Sequence, residues 1–378
     1  MVRLSRSIAL LLVVSGCSHP SSLPPSMEAH VCPAVFDQPA LKSPPARTQR
    51  LPSYAVGVTS DEYVDMTRKT PANGAVAEQP SRDLPAEIWY PAQSDASAPE
   101  TSEAPLDLRG APYPLVVFVH GSDSLHRQSV FLMQGLAARG YVVVAADFPL
   151  TYVLTPGGAS DQHVDMQVCD VAFIANRLFA RSNDPKDQLY GALDPAAGYA
   201  VAGHSTGGSV ALATAFGSQD HDPRVRAAVA LAPCACFFPE HFFRSRPTPL
   251  LVIAGTDDGF VPPSDNGERA YQLSTEPKRL AVLKGGTHLN FSDLNRADGA
   301  QNATHNDSAI SEAFLAEGPG GACDPAPPIG TDPLMAFQTQ HQLTVSIATA
   351  FLDAQMYGDP AALNAIDQTP PMLVSWQQ

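Results

Sequence analysis

The sequence predicts an α/β fold with a mainly parallel central sheet covered by helices on both faces. Two observations predict it. Short, continuous apolar runs recur between Leu115 and Leu283, as strands buried on both faces require. Between them lie segments with apolar residues at helical spacing, and regular strand–helix alternation implies parallel strands joined by crossover helices.

Taken in order, Glu87 to Tyr90 reads as a short strand ended by Pro91, and the small, polar, Pro-containing stretch 92–112 as a surface loop. Leu115-Val-Val-Phe-Val119 is the first buried strand. Residues 129–139 carry Val130, Met133, Leu136 and Ala137 on one helical face, with Gly140 as a stop. Val142 to Ala146 is the next strand. A longer helix follows, with Val164, Val168, Val171, Ala175 and Leu178 on its stripe. Strand Tyr199 to Ala202, helix 207–217, strands Val225 to Leu231 and Leu250 to Ala254, helix 265–274 and strand Leu280 to Leu283 complete the alternation. Residues 292–336 break the rhythm with Asn, Gly, Pro and Ala, and read as an insertion over the sheet edge. A final helix, 338–356, turns Leu343, Ile347 and Phe351 inward.

The chain has 378 residues, 44% of them hydrophobic, enough for one large core or two modest ones. Its formal charge of -15 argues against a nucleic-acid partner, whose binders carry basic faces. At the start, Arg3 and Arg6 precede the apolar run Ile8 to Val14, too short for a bilayer span but suited to a signal-peptide core. Val14-Ser15-Gly16-Cys17 resembles a bacterial lipobox. The expectation is therefore a signal peptide over 1–16, lipidation at Cys17, a Pro/Ser-rich tether over 17–50 and a globular body over 51–378. Ser18 after the cysteine favours the outer membrane, and a body this acidic would be held there by acyl chains rather than by charge.

Of the five remaining cysteines at least one is expected to stay free. Cys169, on a helical stripe, reads as a buried thiol. Cys234 and Cys236 are too close in sequence to pair comfortably, so one of them is expected to bond Cys323. A metal site from Cys234, Cys236 and His241 lacks a fourth ligand, and no metal is expected.

The sharpest chemical signal is Ala202-Gly203-His204-Ser205-Thr206-Gly207-Gly208, a G-x-S-x-G sequence where a strand ends and a helix begins. A turn that lifts a serine hydroxyl above the sheet is so tight that small residues must stand two before and two after it, as Gly203 and Gly207 do. Serine is a weak nucleophile at neutral pH and needs a base, which in turn needs an orienting carboxylate. Strand ends further along offer both: the loop Thr256-Asp257-Asp258-Gly259 supplies an acid, and Gly285-Gly-Thr-His288 supplies the base His288. A tetrahedral intermediate would take the Thr206 N–H and, from the loop Val119-His120-Gly121-Ser122, the Ser122 N–H. His120 and His204 read as packing residues beneath that loop and the elbow. The stretch Cys236-Phe-Phe-Pro-Glu-His-Phe-Phe243 offers Phe237, Phe238 and Phe242 either to a substrate pocket or to the core.

With Trp89-Tyr-Pro91, Pro114 to Gly121, the GHSTGG elbow, Gly255-Thr-Asp-Asp258 and Gly286-Thr-His-Leu-Asn-Phe291, the chain resembles the α/β-hydrolase family over about Leu51 to Gly358. It is similar within it to the group of platelet-activating-factor acetylhydrolases, predicted dienelactone hydrolases and cutinase-like polyesterases. Dienelactone hydrolases use cysteine where Ser205 stands, and polyesterases commonly have methionine where Thr206 stands. The resemblance implies a serine esterase with Ser205, Asp258 and His288 as the triad and no cofactor. Its substrates would be small-molecule, lipid-like or polyester-like esters. An amidase or peptidase with the same triad, and a non-catalytic surface-binding lipoprotein, are the alternatives. Oligomeric state is left open.

Overall fold

The computed structural model describes residues 53–93, 97–217, 222–293, 333–367 and 374–377, together with residues 32, 41–43 and 307. The expected signal peptide, Cys17, most of the tether, the bulk of the 292–336 insertion and Cys323 lie outside the described residues.

Ten strands form one sheet. They are β1 (Ala55–Asp65), β2 (Arg82–Ala92), β3 (Thr101–Ser102), β4 (Leu115–Val119), β5 (Val142–Ala146), β6 (Tyr199–His204), β7 (Val225–Leu231), β8 (Leu250–Gly255), β9 (Lys278–Leu283) and β10 (Val374–Gln377). Their order across the sheet is β10-β9-β8-β7-β6-β4-β5-β2-β1-β3. From β9 to β5 every neighbouring pair is parallel; β10, β2 and β1 join antiparallel. The β1–β2 pair runs through eleven residues a side, far beyond the four-residue strand that Glu87 to Tyr90 suggested.

Among the described residues six α-helices flank the sheet: α1 (Val130–Ala137), α2 (Gln167–Asn183), α3 (Thr206–Phe216), α4 (Gly267–Leu273), α5 (Phe337–Met356) and the short α6 (Leu363–Asp367). Side chains alternate along the strands, so β4 sends Leu115, Val117 and Val119 to one face and Val116 and Phe118 to the other. The first face packs on Ile174 and Leu178 of α2, Val210 and Leu212 of α3 and Ala270 of α4. The second packs on Leu132 and Met133 of α1 and Ile347 and Phe351 of α5. Because both faces are covered, β4 and β5 are buried at every residue, which is why no polar residue interrupts them.

Two findings correct the cysteine expectations. Cys169 is not a free thiol: it is disulfide-bonded to Cys32. Cys234 and Cys236 are both in disulfides, and no described cysteine is free. Part of the expected tether therefore lies on the body. Cys32 is stapled to α2, and Lys42 donates its N–H to Ala196 O while its carbonyl accepts from Arg226.

Register sets up the site. Val119 pairs with Gly203, so the loop after β4 and the elbow after β6 leave the sheet side by side. Gly255 pairs with Leu283, which does the same for the loops after β8 and β9.

Candidate active site

Ser205 sits between β6 and α3 with φ 56° and ψ -124°, a conformation that non-glycine residues rarely adopt and that strained functional turns retain. The glycines around it explain why the turn closes. A Cβ on Gly203 would lie 2.1 Å from Gly207 O, and one on Gly207 would lie 2.1 Å from Val119 O. Both contacts are with backbone, so neither can relax by a rotamer change. The serine is thereby fixed as the residue preceding α3, whose first turn presents backbone N–H groups.

The loop after β4 reaches the same point. A Cβ on Gly121 would stand 3.2 Å from Ser205 Cβ. Gly121 N–H donates to Gln128 Oε1 at 2.7 Å and is committed there, while Gln128 Nε2 donates to His204 Nδ1. One buried glutamine thus joins the β4 loop to the elbow. Ser122 Oγ and Thr206 Oγ1 lie 2.8 Å apart, so the two residues proposed to supply N–H donors are neighbours. Ser122 Oγ also donates to Asp161 Oδ1.

Asp258 and His288 come together as the adjacent strand ends require. His288 Nδ1 lies 2.7 Å from Asp258 Oδ2, and Asp258 Oδ1 accepts the N–H groups of Phe260 and Val261 at 2.9 and 2.7 Å. Asp257 is turned elsewhere, accepting from its neighbour Thr256. Burial disfavours the His288 imidazolium, but the Asp258 carboxylate, with Asp307 beyond it, outweighs burial and holds the His288 pKa above its usual 6.5. The His288 ring lies 4.5 Å from that of His204, the residue next to Ser205, and 5.2 Å from that of Phe260. Among the described residues no hydrogen bond joins Ser205 Oγ to His288; apo serine–histidine contacts are commonly long and tighten with substrate.

His120 and His204 lie where packing residues belong. His120 pairs Nδ1 with Gly121 O at 2.7 Å and accepts Phe148 N–H through Nε2 at 3.1 Å; burial lowers its pKa to about 4. The phenylalanines pack on one another and on α3. Phe238 is stacked on Phe242 at 4.2 Å, Phe237 packs on Phe238, and Phe242 packs on Phe216 of α3. Phe238 is 1% exposed, and Phe237 and Phe242 pack partly buried against the same core cluster. Sequence reasoning missed four residues at the site: Gln128, Asp161, Phe260 and Asp307. Gln128, Asp161 and Asp307 reach it from segments with no motif of their own, and Phe260 follows Asp258 on the acid's loop.

Residues 94–258 match the chlorophyllase family model. That segment includes the β4 loop, the elbow and Asp258, and stops short of His288. A solved structure of a ferulic acid esterase from Streptomyces cinnamoneus is similar, with 22% sequence identity, a TM-score of 0.55, and coverage of 90% of this chain and all of that one. No curated protein matches the chain. The strand order, the elbow and the solved structure together show an α/β-hydrolase fold, and the family model that residues 94–258 match is one of ester hydrolases.

Proposed function

We propose that the protein hydrolyses carboxylic esters with Ser205 as nucleophile, His288 as base and Asp258 as its orienting acid. The observation that carries this reading is the 2.7 Å Asp258–His288 pair beside a serine held at φ 56°. Asp258 fixes the proton of the neutral imidazole on Nδ1, leaving Nε2 as the acceptor. His288 takes the hydroxyl proton as Ser205 Oγ bonds to the ester carbon. The Ser122 and Thr206 N–H groups hold the oxyanion, and Gly121, whose N–H is already bound to Gln128, supports the choice of Ser122. When the carbon–oxygen bond to the alcohol breaks, His288 returns that proton to the departing oxygen. Water then attacks the acyl-enzyme, giving its proton to His288; the acid leaves and Ser205 recovers its hydrogen.

For substrates, the half-buried Phe260 ring beside His288 supports an apolar or aromatic group near the scissile bond. Chlorophyllase and ferulic acid esterase, the names borne by the matches, are consistent with esters that carry such a group. Export and lipidation at Cys17 remain part of the proposal and rest on the lipobox-like Val14 to Cys17. Cys17→Ser should move the protein from the membrane fraction to the soluble one, and unchanged partition refutes the anchor.

The test of the chemistry is a fluorophosphonate probe followed by mass spectrometry. Wild type should take one label, on Ser205, and Ser205→Ala none. Labelling elsewhere, or turnover of p-nitrophenyl esters surviving in Ser205→Ala, refutes the assignment.

A further inference from the structure

A third carboxylate reaches this site from outside both strand-end loops. Asp307 is 0% exposed. Its Oδ2 accepts the His288 N–H at 2.6 Å and the Gly259 N–H at 3.1 Å, and its Oδ1 accepts the Leu289 N–H at 3.2 Å. Gly259 follows Asp258 on the loop after β8; His288 and Leu289 lie on the loop after β9. A single side chain therefore ties together the backbones that carry the acid and the base.

The charge on Asp307 is as telling as its bonds. Three backbone donors satisfy its oxygens but bring no countercharge, and a buried carboxylate without one is costly. The titratable groups that act on it are Asp258 and His288, and of these only His288 can become a cation. His288 itself faces Asp258 on the β8 loop, Asp307, and the ring of His204 on the elbow. His204 is kept neutral by burial and by the nearby His288, so it supplies no competing positive charge. Two carboxylates are thus arranged around one imidazole, one hydrogen-bonded to its Nδ1 and one to its backbone.

We propose that Asp307 is a positioning residue, clamping the acid-bearing and base-bearing loops and adding a second negative charge that stabilises the His288 imidazolium. The proposal rests on the reading of Ser205 and His288 as nucleophile and base. Burial and the Asp258 carboxylate push Asp307 up to about 6, so at pH 7 and above it is mostly ionised and acts as an anion when the imidazolium forms. Asp307 thus completes the geometry of the base from outside the loops that carry the acid and the base.

The experiment uses the full chain and Asp307→Asn, which keeps the size and one acceptor oxygen while removing the charge. Nitrogen-15 NMR follows the His288 imidazole with pH, and kcat and KM for a p-nitrophenyl ester are measured across the same range. In Asp307→Asn the His288 midpoint should fall by roughly half a unit or more, and the rising limb of kcat/KM should move to lower pH with it. kcat should drop about tenfold with KM changed less than about twofold, the pattern of an interaction that strengthens in the transition state. An unchanged His288 midpoint and an unchanged rate profile overturn the proposal. Should the variant not fold, wild type carries the test. A second inflection in the His288 shifts near pH 6 supports coupling to Asp307, and a single step at or below 6.5 overturns it. A wild type that takes no fluorophosphonate at Ser205 refutes the underlying reading, whereas labelled protein with an unchanged Asp307→Asn titration refutes this role alone.

Discussion

Asp258 divides its carboxylate between His288 and its own loop: one oxygen meets His288 Nδ1 at 2.7 Å while the other accepts two N–H groups, from Phe260 and Val261. The loop therefore aims the acid, and the acid aims the base. Asp257, next in sequence, accepts from Thr256 and has one oxygen with no partner among the described residues. Asp258→Asn should lower kcat by about 10³ to 10⁴, because an amide cannot favour the Nδ1–H tautomer or stabilise the imidazolium. Asp257→Asn should leave kcat within a few-fold. Purified variants with matching circular dichroism, assayed on one short-chain ester, check the pair; a crippled Asp257→Asn beside a normal Asp258→Asn reverses the assignment.

The pH profile follows from the sign of the His288 shift. A base must start neutral, so activity rises as His288 loses its proton. Its pKa is held above 6.5, with burial opposing and Asp258 and Asp307 prevailing, so the rising limb of kcat/KM should have its midpoint above 6.5. Asp258→Asn should move that midpoint down along with the rate. Initial rates from about pH 5 to 9, with chemistry shown to limit turnover, provide the check; a midpoint at or below 6.5 in wild type contradicts the electrostatic account.

Strands buried on both faces were legible because their residues are apolar throughout: the bounds expected for β4 and β5 are those observed, and those of β7 hold although Arg226 interrupts its run. β1 was missed for the opposite reason. Its outer half, Ser60 to Asp65, alternates toward solvent and carries Asp61, Glu62 and Asp65, so it shows no apolar run. The proposed triad of Ser205, Asp258 and His288 was legible as a set because each lies beside a strand end and glycines mark the turns. Asp307 could not, since its partners are backbone N–H groups 18, 19 and 48 residues away, and backbone donors leave no trace in a sequence. The Cys32–Cys169 bond was hidden in the same way, by a sequence separation of 137.

That disulfide should matter for stability and not for turnover. Closing so long a loop restricts the unfolded chain, and the chain-entropy estimate gives about 5 kcal/mol as an upper figure. Cys169 is a buried residue of α2, a helix that carries none of the proposed triad residues. Cys169→Ser should therefore lower Tm by several degrees while kcat on a short-chain ester stays within about twofold. Calorimetry and an assay at 25 °C check both halves, and an unchanged Tm would mean that the staple adds nothing to the fold.

The hydroxyls of the two proposed oxyanion residues, Ser122 and Thr206, are themselves linked. Ser122 has one hydroxyl proton, and it is donated to Asp161. The 2.8 Å contact between Ser122 Oγ and Thr206 Oγ1 must then be made by the Thr206 proton, giving a chain from Thr206 through Ser122 to Asp161. This chain holds together the loop after β4 and the first turn of α3, and with them the two proposed N–H donors. Thr206→Val keeps the branched shape and the N–H but removes the first link, a neutral hydrogen bond worth about 1 kcal/mol, so kcat should fall by roughly five- to tenfold with KM nearly unchanged. Ser122→Ala removes both links and leaves Asp161 without a donor, although its Oδ2 already has no partner among the described residues. Losing a bond to a charged group costs about 1.5 to 3 kcal/mol, so the expected fall is about 10- to 100-fold. Burial already pushes Asp161 up to about 6, and without the Ser122 hydroxyl, which favours the anion, it should titrate higher still. Because the links are in series, the double variant should be no worse than Ser122→Ala alone. Steady-state kinetics on one ester decide the matter: multiplicative losses in the double variant, or a Thr206→Val more damaged than Ser122→Ala, would show that the hydroxyls act separately.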